Sequence, residues 1–408
     1  MDMKFDACIN YQYCMCIYDQ NTTLSDSEKF EQIFTNIKKA YPESIRYDSD
    51  EAYRDDVFKD LHTVEGFLHG GGLPFKNNRI HIKGVDLKFE KVQMQESGII
   101  LTVFPEFNAA ELQICFRTEN ADTDELIYLR QIFGGVAEFS DKDGRSNCLN
   151  GWFEEFAKVM DCNAVRLHQT YLIEIKKCEP YFSADELLDK ECRRLYGIIC
   201  GDEGWEFVPE ALAKERLADI WGSREFVRFT VFGDNALLIN LSSSPEAESY
   251  MERQQVFGGK VYGGVNDYFL VDSSVAGICH GIMLSQEMVT VIRAVAMRIL
   301  NRKEDFSRSG SLTLSNEIER TKRYRSELIT TLNKVENLGI SEMGELEQLL
   351  LRSYRISPLI DSIKYLLELL ESELDLLYQQ STNRLVNILT TVGLIFTALG
   401  LLSSWGIL

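Results

Sequence analysis

Apolar and polar residues alternate along several short runs of this chain, and each run is followed by an amphipathic helical pattern. One such run is Gln12–Asp19 (QYCMCIYD), and a similar one is Gln169–Lys176 (QTYLIEIK). Alternation at period two with aromatic and β-branched residues is typical of strands. Ser25 and Ser183 follow the two runs at the positions where a helix N-cap is expected. Because the two stretches show the same order of patterns, we predict that a strand–helix unit occurs twice.

A second pair of similar stretches supports this duplication. Thr102–Phe104 leads through an apolar run and a predicted helix to Gln131–Gly135 (QIFGG), and Thr230–Phe232 leads in the same way to Gln255–Gly259 (QVFGG). Each Phe-Gly-Gly predicts a helix end, because glycine accepts the left-handed conformation common there. The alternative is a pair of backbone loops that hold an anionic ligand.

The predicted fold class is therefore α+β: a tandem-duplicated α+β cytosolic body, followed by a long helical stalk and a single C-terminal transmembrane helix. We expect mixed sheets with helices on one face, and a cleft between the units that is open to a small-molecule ligand. The predicted boundaries are a first repeat over 1–150, a second repeat over 151–280, a helical region over 281–355, a coiled-coil stalk helix over 356–384 and a transmembrane helix over 385–408.

The stalk prediction comes from a heptad pattern. Ser357-Pro358 is a helix-start signal, and no proline follows it. Two interleaved rows of apolar residues then recur every seven positions, which is typical of a coiled-coil seam. The first row is Ile356, Ile363, Leu370 and Leu377, and the second is Ile360, Leu367 and Leu374.

The last residues, Leu385–Leu408, carry no charged side chain, and about 20 apolar residues suffice to cross a bilayer. A spanning helix is therefore expected, rather than a buried C-terminal helix or a bare tail anchor. Cations precede the segment and none follows it, so we expect the body in the cytoplasm and a single pass through the inner membrane. Five polar residues share one face of this helix and are predicted to line a pore: Asn383, Asn387, Thr390, Thr397 and Ser404.

At this junction the sequence resembles the CorA-type magnesium and divalent-cation transporters. Asn383, Leu389, Thr390, Ile395 and Phe396 match in register the pattern with which that family's stalk helix enters its first membrane helix. The family's Gly-Met-Asn signature and its second membrane helix are absent. The resemblance implies an oligomeric funnel, a pentamer in that family, with Mg²⁺ as the transported ion and no other cofactor.

The charge, the cysteine spacing and the motifs of the chain argue against several other functions. The net charge of −20 argues against nucleic acid as a partner, because binding a duplex requires Lys and Arg against its phosphates. The ten cysteines form no Cys-x-x-Cys pair and are expected to be reduced thiols. No nucleophile–base pair or metal-ligand motif stands out; the His69–Gly72 run has no matching Gly-x-Ser-x-Gly elbow. We therefore expect no enzyme activity and no resident metal.

These patterns together lead to a specific expectation. The chain is expected to be a CorA-like, homo-oligomeric membrane protein that conducts divalent cations through a pore lined by its C-terminal helix. Its partners would be the lipid bilayer, further copies of itself and a small molecule bound to the body. The alternatives are a ligand-sensing membrane effector of a bacterial stress or phage-defence system, and a tail-anchored scaffold.

Overall fold

The structure is a computed structural model of the 408-residue chain. It describes residues 3–18, 26–47, 78–83, 85, 87–93, 96–135, 138–141, 146–161, 163–222, 225–241, 244–247, 249, 286–287, 289–297, 326, 329 and 342–404. Several predictions fall on residues outside these ranges: the N-cap at Ser25, the His69–Gly72 run, the second Phe-Gly-Gly motif at 257–259 and the terminal residues 405–408.

The described residues contain a nine-stranded sheet and a three-stranded sheet. The strands of the large sheet are β1 (Phe5–Tyr18), β2 (Ile45–Tyr47), β3 (Asn78–Ile82), β5 (Glu96–Phe104), β6 (Ala109–Ala121), β9 (Asn163–Cys178), β10 (Ile220–Trp221), β11 (Val227–Phe232) and β12 (Asn235–Asn240). Those of the small sheet are β4 (Leu87–Lys88), β7 (Glu138–Asp141) and β8 (Ser146–Cys148). The strand order is β10-β11-β12-β9-β1-β6-β5-β3-β2 in the large sheet and β4-β7-β8 in the small one.

The two longest strands, β1 and β9, lie side by side at the centre of the large sheet and run antiparallel. β1 also pairs antiparallel with β6, whereas β9 pairs parallel with β12. The hairpins of the two predicted repeats, β5–β6 and β11–β12, therefore run in opposite senses relative to the central strand that each adjoins. The division of the body into two repeats stays a prediction.

The named helices are α1 (Asp26–Ala40), α2 (Thr123–Phe133), α3 (Leu149–Val159), α4 (Ala184–Lys190), α5 (Cys192–Cys200), α6 (Glu210–Arg216), α7 (Glu342–Ser353) and α8 (Ile356–Ser404). Residues 286–287 and 289–297 are also helical.

Local sequence signals explain several of these helix ends. A capping box begins α2: the Asp122 side chain accepts from the Glu125 N–H, and the Glu125 side chain accepts from the Asp122 N–H. The Ser183 side chain accepts from the Glu186 N–H at the start of α4, so the predicted N-cap is confirmed. The first Phe-Gly-Gly ends α2, with Gly135 at a φ of 75°, as predicted for a helix end.

One face of the large sheet is packed with aromatic rings. Phe133 of α2 lies 5.3 Å from Tyr11 and 5.7 Å from Tyr171, measured between ring centroids. Phe153 of α3 stacks on Tyr13 at 5.0 Å. All five side chains are buried, so helices α2 and α3 close this face of the sheet with apolar contact.

The chain divides into two compact units. The first consists of 1–294 together with 337–357, and it contains both sheets and helices α1 to α7. The second consists of 295–336 together with 358–408, and most of α8 belongs to it.

The prediction of a C-terminal transmembrane helix is wrong. Among the residues that the structure describes, no helix combines the length and the apolar character needed to span a bilayer. Among the side chains described on α8, the large apolar ones exposed near its end run from Leu385 to Ile395.

Two further expectations depended on this helix and are corrected with it. A single-pass inner-membrane location with a cytoplasmic body is not supported, and neither are the membrane and ion-transport descriptions of the chain. Within the described stretch the side chains divide between two sides of the helix, with Leu385, Leu389 and Ile395 on one side and Asn387 and Thr390 on the other.

Candidate functional site

The face of the large sheet opposite the aromatic rings carries a row of polar residues across five strands. Strand register places Arg79 of β3 beside Thr102 of β5, Thr102 beside Glu111 of β6, Glu111 beside Cys14 of β1, and Cys14 beside His168 of β9. Directly paired residues point to the same side of a sheet. The five side chains therefore form one line perpendicular to the strands.

A second row runs beside the first, two residues further along each strand. It contains His81, Ile100, Gln113, Gln12 and Thr170, again in direct cross-strand pairs. All of these side chains are buried. We call the polar members of the two rows the polar layer: Arg79, Thr102, Glu111, Cys14, His168, His81, Gln113, Gln12 and Thr170.

The polar layer is covered by a helical segment at 286–287 and 289–294, which we call the covering segment. Gln286, Glu287 and Thr290 are buried and reach the layer from its facing side. Helical residues three or four apart share a face, so this spacing turns the polar side chains of the segment towards the sheet. The Cys16 thiol lies 3.9 Å from the Ala294 carbonyl oxygen at the end of the same face.

A buried ion pair joins the covering segment to β3. The Arg79 guanidinium donates to both carboxylate oxygens of Glu287, with Nη2 at 2.8 Å from Oε1 and 2.7 Å from Oε2. Thr102 donates to Oε1 at 3.0 Å. Both ionic side chains are almost fully buried, with exposed fractions of 1% and 0%. A two-point contact with an added hydroxyl is the geometry that offsets the cost of burying two charges.

Glu111, another buried acid, has no guanidinium directly bound to it. Its Oε1 accepts from the side-chain amides of Gln12 and of Gln113, the latter at 2.6 Å, and its Oε2 lies 2.9 Å from the Thr290 hydroxyl. Burial raises the pKa of Glu111, and these hydrogen bonds oppose the rise only in part. Neutral amide and hydroxyl groups solvate the carboxyl here instead of a counter-charge.

The single proton of the Thr290 hydroxyl, shared among three contacts, indicates the protonation state of Glu111. The Thr290 hydroxyl lies 3.0 Å from the Gln286 carbonyl oxygen, 2.7 Å from Cys14 Sγ and 2.9 Å from Glu111 Oε2. A hydroxyl donates one proton, and the helix carbonyl can only accept it. The thiol and the acid must then donate to Thr290. All three contacts are satisfied at once when Glu111 is protonated.

A chain of hydrogen bonds continues from Glu111 across the layer. Thr170 donates to the Gln12 amide oxygen. The Gln286 amide then donates to the hydroxyls of Thr170, at 3.2 Å, and Tyr354, at 3.3 Å. The layer thus connects β6, β1, β9, the covering segment and the end of α7 in one network.

Cys14 and His168 are direct cross-strand neighbours, but their electrostatics oppose nucleophilic catalysis. Burial raises the pKa of the Cys14 thiol. Burial, and then the Arg293 charge, lower the pKa of His168 to about 3. An activated cysteine needs a lowered thiol pKa, as beside a protonated histidine, and both shifts here run the other way. In the described part of the chain, no three His, Cys, Asp or Glu side chains are placed to hold a metal ion.

The residues predicted to line a pore lie elsewhere, along α8. Asn383, Asn387, Thr390 and Thr397 are exposed. The Thr390 hydroxyl donates to the Val386 carbonyl oxygen and the Thr397 hydroxyl to the Gly393 carbonyl oxygen, each at 2.8 Å. For Ser404 the structure describes the backbone alone. The pore-lining role stays a prediction, and the membrane helix on which it depended is absent from the described residues.

The polar layer was missed by the sequence analysis, although a signal was present. Gln12 and Cys14 alternate with aromatic residues in β1, and Glu111 and Gln113 alternate with apolar residues in β6. By itself such alternation indicates only a strand. Because the intervening residues are large and apolar, the polar set faces a second packed layer rather than water.

Comparisons of the chain with protein-family models, with curated proteins and with solved structures give no match. The resemblance to the CorA-type transporters therefore stays untested.

Proposed function

We propose that this chain is a homo-oligomeric scaffold whose copies are joined through helix α8. The observation that carries the proposal is a long row of apolar residues on one side of α8. Among its described side chains, those between Leu385 and Ile395 are exposed within the chain.

The heptad rows and the later apolar residues of α8 fall on one side of the helix. At about 100° per residue, the positions from Ile356 to Leu377 in the two rows occupy a sector about 100° wide. Leu385, Ile388, Leu389, Val392 and Ile395 fall in the same sector, widened by about 20°. We call the combined set, from Ile356 to Ile395, the apolar stripe. It extends over about 60 Å of helix.

Among the described side chains of the apolar stripe, Ile356 is buried, whereas those from Leu385 onwards are open to solvent within one copy. Leu385, Ile388, Leu389 and Ile395 are each more than half exposed, and Leu389 has an exposed fraction of 61%. Full burial of such a side chain is worth about 1.5–3 kcal/mol. A contiguous row of them is a strong drive for association.

The opposite side of the same stretch is mainly polar. Asn383, Asn387, Thr390 and Thr397 lie within about 80° of one another and about 180° from the centre of the stripe. A helix with one apolar and one polar side associates through the apolar side and leaves the other in water. Val386 and Leu394 are the exceptions, since they are exposed on the polar side.

A second copy of α8 is the partner that this pattern fits. A heptad seam is self-complementary, because side chains in the same rows on a second helix pack into the spaces between the side chains of the first. In a parallel, in-register pair of these helices, the residue just before a position of the second heptad row faces the residue five positions later on the partner helix. Glu373 then faces Tyr378, and Leu366 faces Glu371, so the acidic positions beside the seam are not opposed.

Substitutions at two adjacent positions test the proposal on the full-length chain. Leu389→Glu places a charge in the apolar stripe, and we expect association to weaken by about a hundredfold, because the charge would be desolvated in the interface. Thr390→Glu adds the same charge on the polar side and should leave association unchanged. Sedimentation velocity over a concentration series measures both.

Either of two results would reject the scaffold. One is a monomeric wild-type chain at all concentrations tested. The other is equal weakening by the two glutamates, since that would show a general effect of charge and no role for the stripe.

A further inference from the structure

Positive charges gather at one end of the first polar row, around the turn between β11 and β12. Asp234 lies in this turn, and the charges of Arg293, Arg130 and Arg355, in that order, act on its carboxyl group. Three arginines and one aspartate leave two positive charges in a chain whose net charge is −20. Such a local excess opposes the sign of the rest of the protein.

Arg130 and Arg293 are paired with neutral oxygens. Arg130 Nε donates to the Ile199 carbonyl oxygen at 3.0 Å and to Asn235 Oδ1 at 2.8 Å. Arg293 Nη2 donates to the Tyr354 carbonyl oxygen at 3.1 Å, and its buried Nε has no hydrogen-bond partner. Neutral acceptors fix the guanidinium groups in place and leave their charge uncompensated.

His168 reaches the same place from the polar layer. Its Nε2 lies 3.5 Å from Asp234 Oδ1 and has no hydrogen-bond partner, although only 5% of the side chain is exposed. The ring packs edge-on against Tyr354, with centroids 5.7 Å apart. A buried polar atom without a partner is costly in a native protein, and its position beside an exposed carboxylate points to a missing acceptor. Since the pKa of His168 is lowered to about 3, the ring stays neutral and can donate one N–H.

We infer that these residues bind a phosphate group, and we call them the arginine site: Arg130, His168, Asp234, Arg293 and Arg355. A phosphate dianion matches the two excess positive charges, and its oxygens accept from guanidinium groups and from an imidazole N–H. The Asp234 carboxylate, 56% exposed, occupies part of the site in the free protein and moves aside when phosphate binds.

The first test is a titration of the full-length chain with inorganic phosphate and, separately, with methyl phosphate, at constant ionic strength with chloride as the reference anion. Calorimetry gives the affinities, and NMR of the His168 ring reports contact at Nε2. Binding of both compounds would indicate recognition of the phosphate group itself. Preference for methyl phosphate would assign a phosphorylated small molecule.

Matched charge removals locate the binding. Arg355→Gln should weaken phosphate binding by about tenfold, because it removes one of the three cations. Arg352→Gln is the control: it removes the same charge three residues earlier, where the side chain pairs with Asp219 at 3.0 Å. That variant should bind phosphate like the wild type.

Removing the competing carboxylate gives an effect of opposite sign. Asp234→Asn should tighten phosphate binding by about tenfold, because the site then carries one more net positive charge. Asp219→Asn, which removes a carboxylate of similar exposure, should have no effect. The inference fails if phosphate produces no more response than chloride, if the His168 resonances do not move, or if each variant matches its control.

Discussion

The two faces of the large sheet bury neighbouring residues of the same strands by different physical means. In β1, Tyr11 and Tyr13 face the rings of α2 and α3, whereas Gln12 and Cys14 face the covering segment; all four are at most 1% exposed. The aromatic face is held by contact area, which declines gradually as atoms are removed. The polar face is held by a network in which each donor needs its acceptor.

The two faces of the sheet should differ in how well they tolerate substitutions. A smaller apolar side chain loses some contacts, whereas one missing partner in the polar layer leaves a buried group without hydrogen bonds. We therefore expect the polar layer to specify how the covering segment lies on the sheet, and the aromatic face to supply stability that is spread over many contacts.

The largest effect is expected at the buried ion pair. Arg79→Met leaves the Glu287 carboxylate buried without its guanidinium, and should lower the free energy of unfolding by about 3–5 kcal/mol. Urea denaturation of the variant and the wild type measures this change. Arg228→Met is the control, because Arg228 pairs with a half-exposed carboxylate, that of Asp185, and should change stability by at most about 1 kcal/mol.

The double variant Arg79→Met, Glu287→Met sharpens the result. Because both charges are then absent, most of the lost stability should return. If the double variant were as unstable as Arg79→Met, the loss would have come from side-chain packing and the charge explanation would be rejected.

Glu111 and Glu287 should respond differently when the carboxyl group of each is replaced by an amide. Glu111→Gln keeps the oxygen that accepts from Gln12 and Gln113 and places an N–H towards Thr290, as a protonated acid would, so stability near neutral pH should change little or rise. Glu287→Gln removes the charge that pairs with Arg79 and should destabilise the protein by about 2–4 kcal/mol. Chemical denaturation of both variants at one pH separates the two cases.

The contribution of Glu111 to the free energy of unfolding should fall as pH rises. The pKa of Glu111 is raised by burial, so the native state keeps a proton that the unfolded chain releases. Stability from this group is complete below the ordinary carboxyl pKa, and it falls as pH rises from there to the raised native value. Glu111→Gln should flatten that part of the stability profile. An unchanged slope would show that Glu111 is ionised in the native protein.

The smallest effects are expected on the aromatic face, at two neighbouring tyrosines. The Tyr11 hydroxyl donates to the Leu129 carbonyl oxygen at 2.6 Å, so Tyr11→Phe should cost about 1 kcal/mol. The Tyr13 hydroxyl is buried without a hydrogen-bond partner. Tyr13→Phe should therefore leave stability unchanged or raise it slightly. Equal losses in the two thermal or urea transitions would contradict this assignment.

Local features of the fold could be anticipated from short stretches of sequence. The alternating run at Gln12–Asp19 lies almost entirely in β1, and the run at Gln169–Lys176 lies in β9. The N-cap at Ser183 and the helix end at Phe133–Gly135 depend on residues within one turn, so their patterns are sufficient. The relative direction of the strands was less accessible, because β12 and β9 are joined by 179–234 and pair in parallel.

The apolar segment at Leu385–Leu408 shows how a correct local pattern can lead to a wrong conclusion. Low polarity near a chain end satisfies the length criterion for a bilayer, and the same residues arranged on one side of a helix satisfy the criterion for association with another helix. Hydropathy averaged along the chain does not separate the two cases. The angular position of the residues around α8, with Leu389 on one side and Thr390 on the other, identifies the side that the scaffold proposal would bury.

Short stretches of sequence show which residues alternate in strands, where several helices begin and end, and that α8 carries a heptad pattern, because these features depend on neighbours a few positions apart. Tertiary structure alone decided that Arg79, Glu111, Cys14 and His168 share one row and that Thr290 closes over it. Cys14 and Thr290 are 276 positions apart in the chain. Their meeting depends on the register of five strands and on how the covering segment packs, and no local propensity encodes that arrangement.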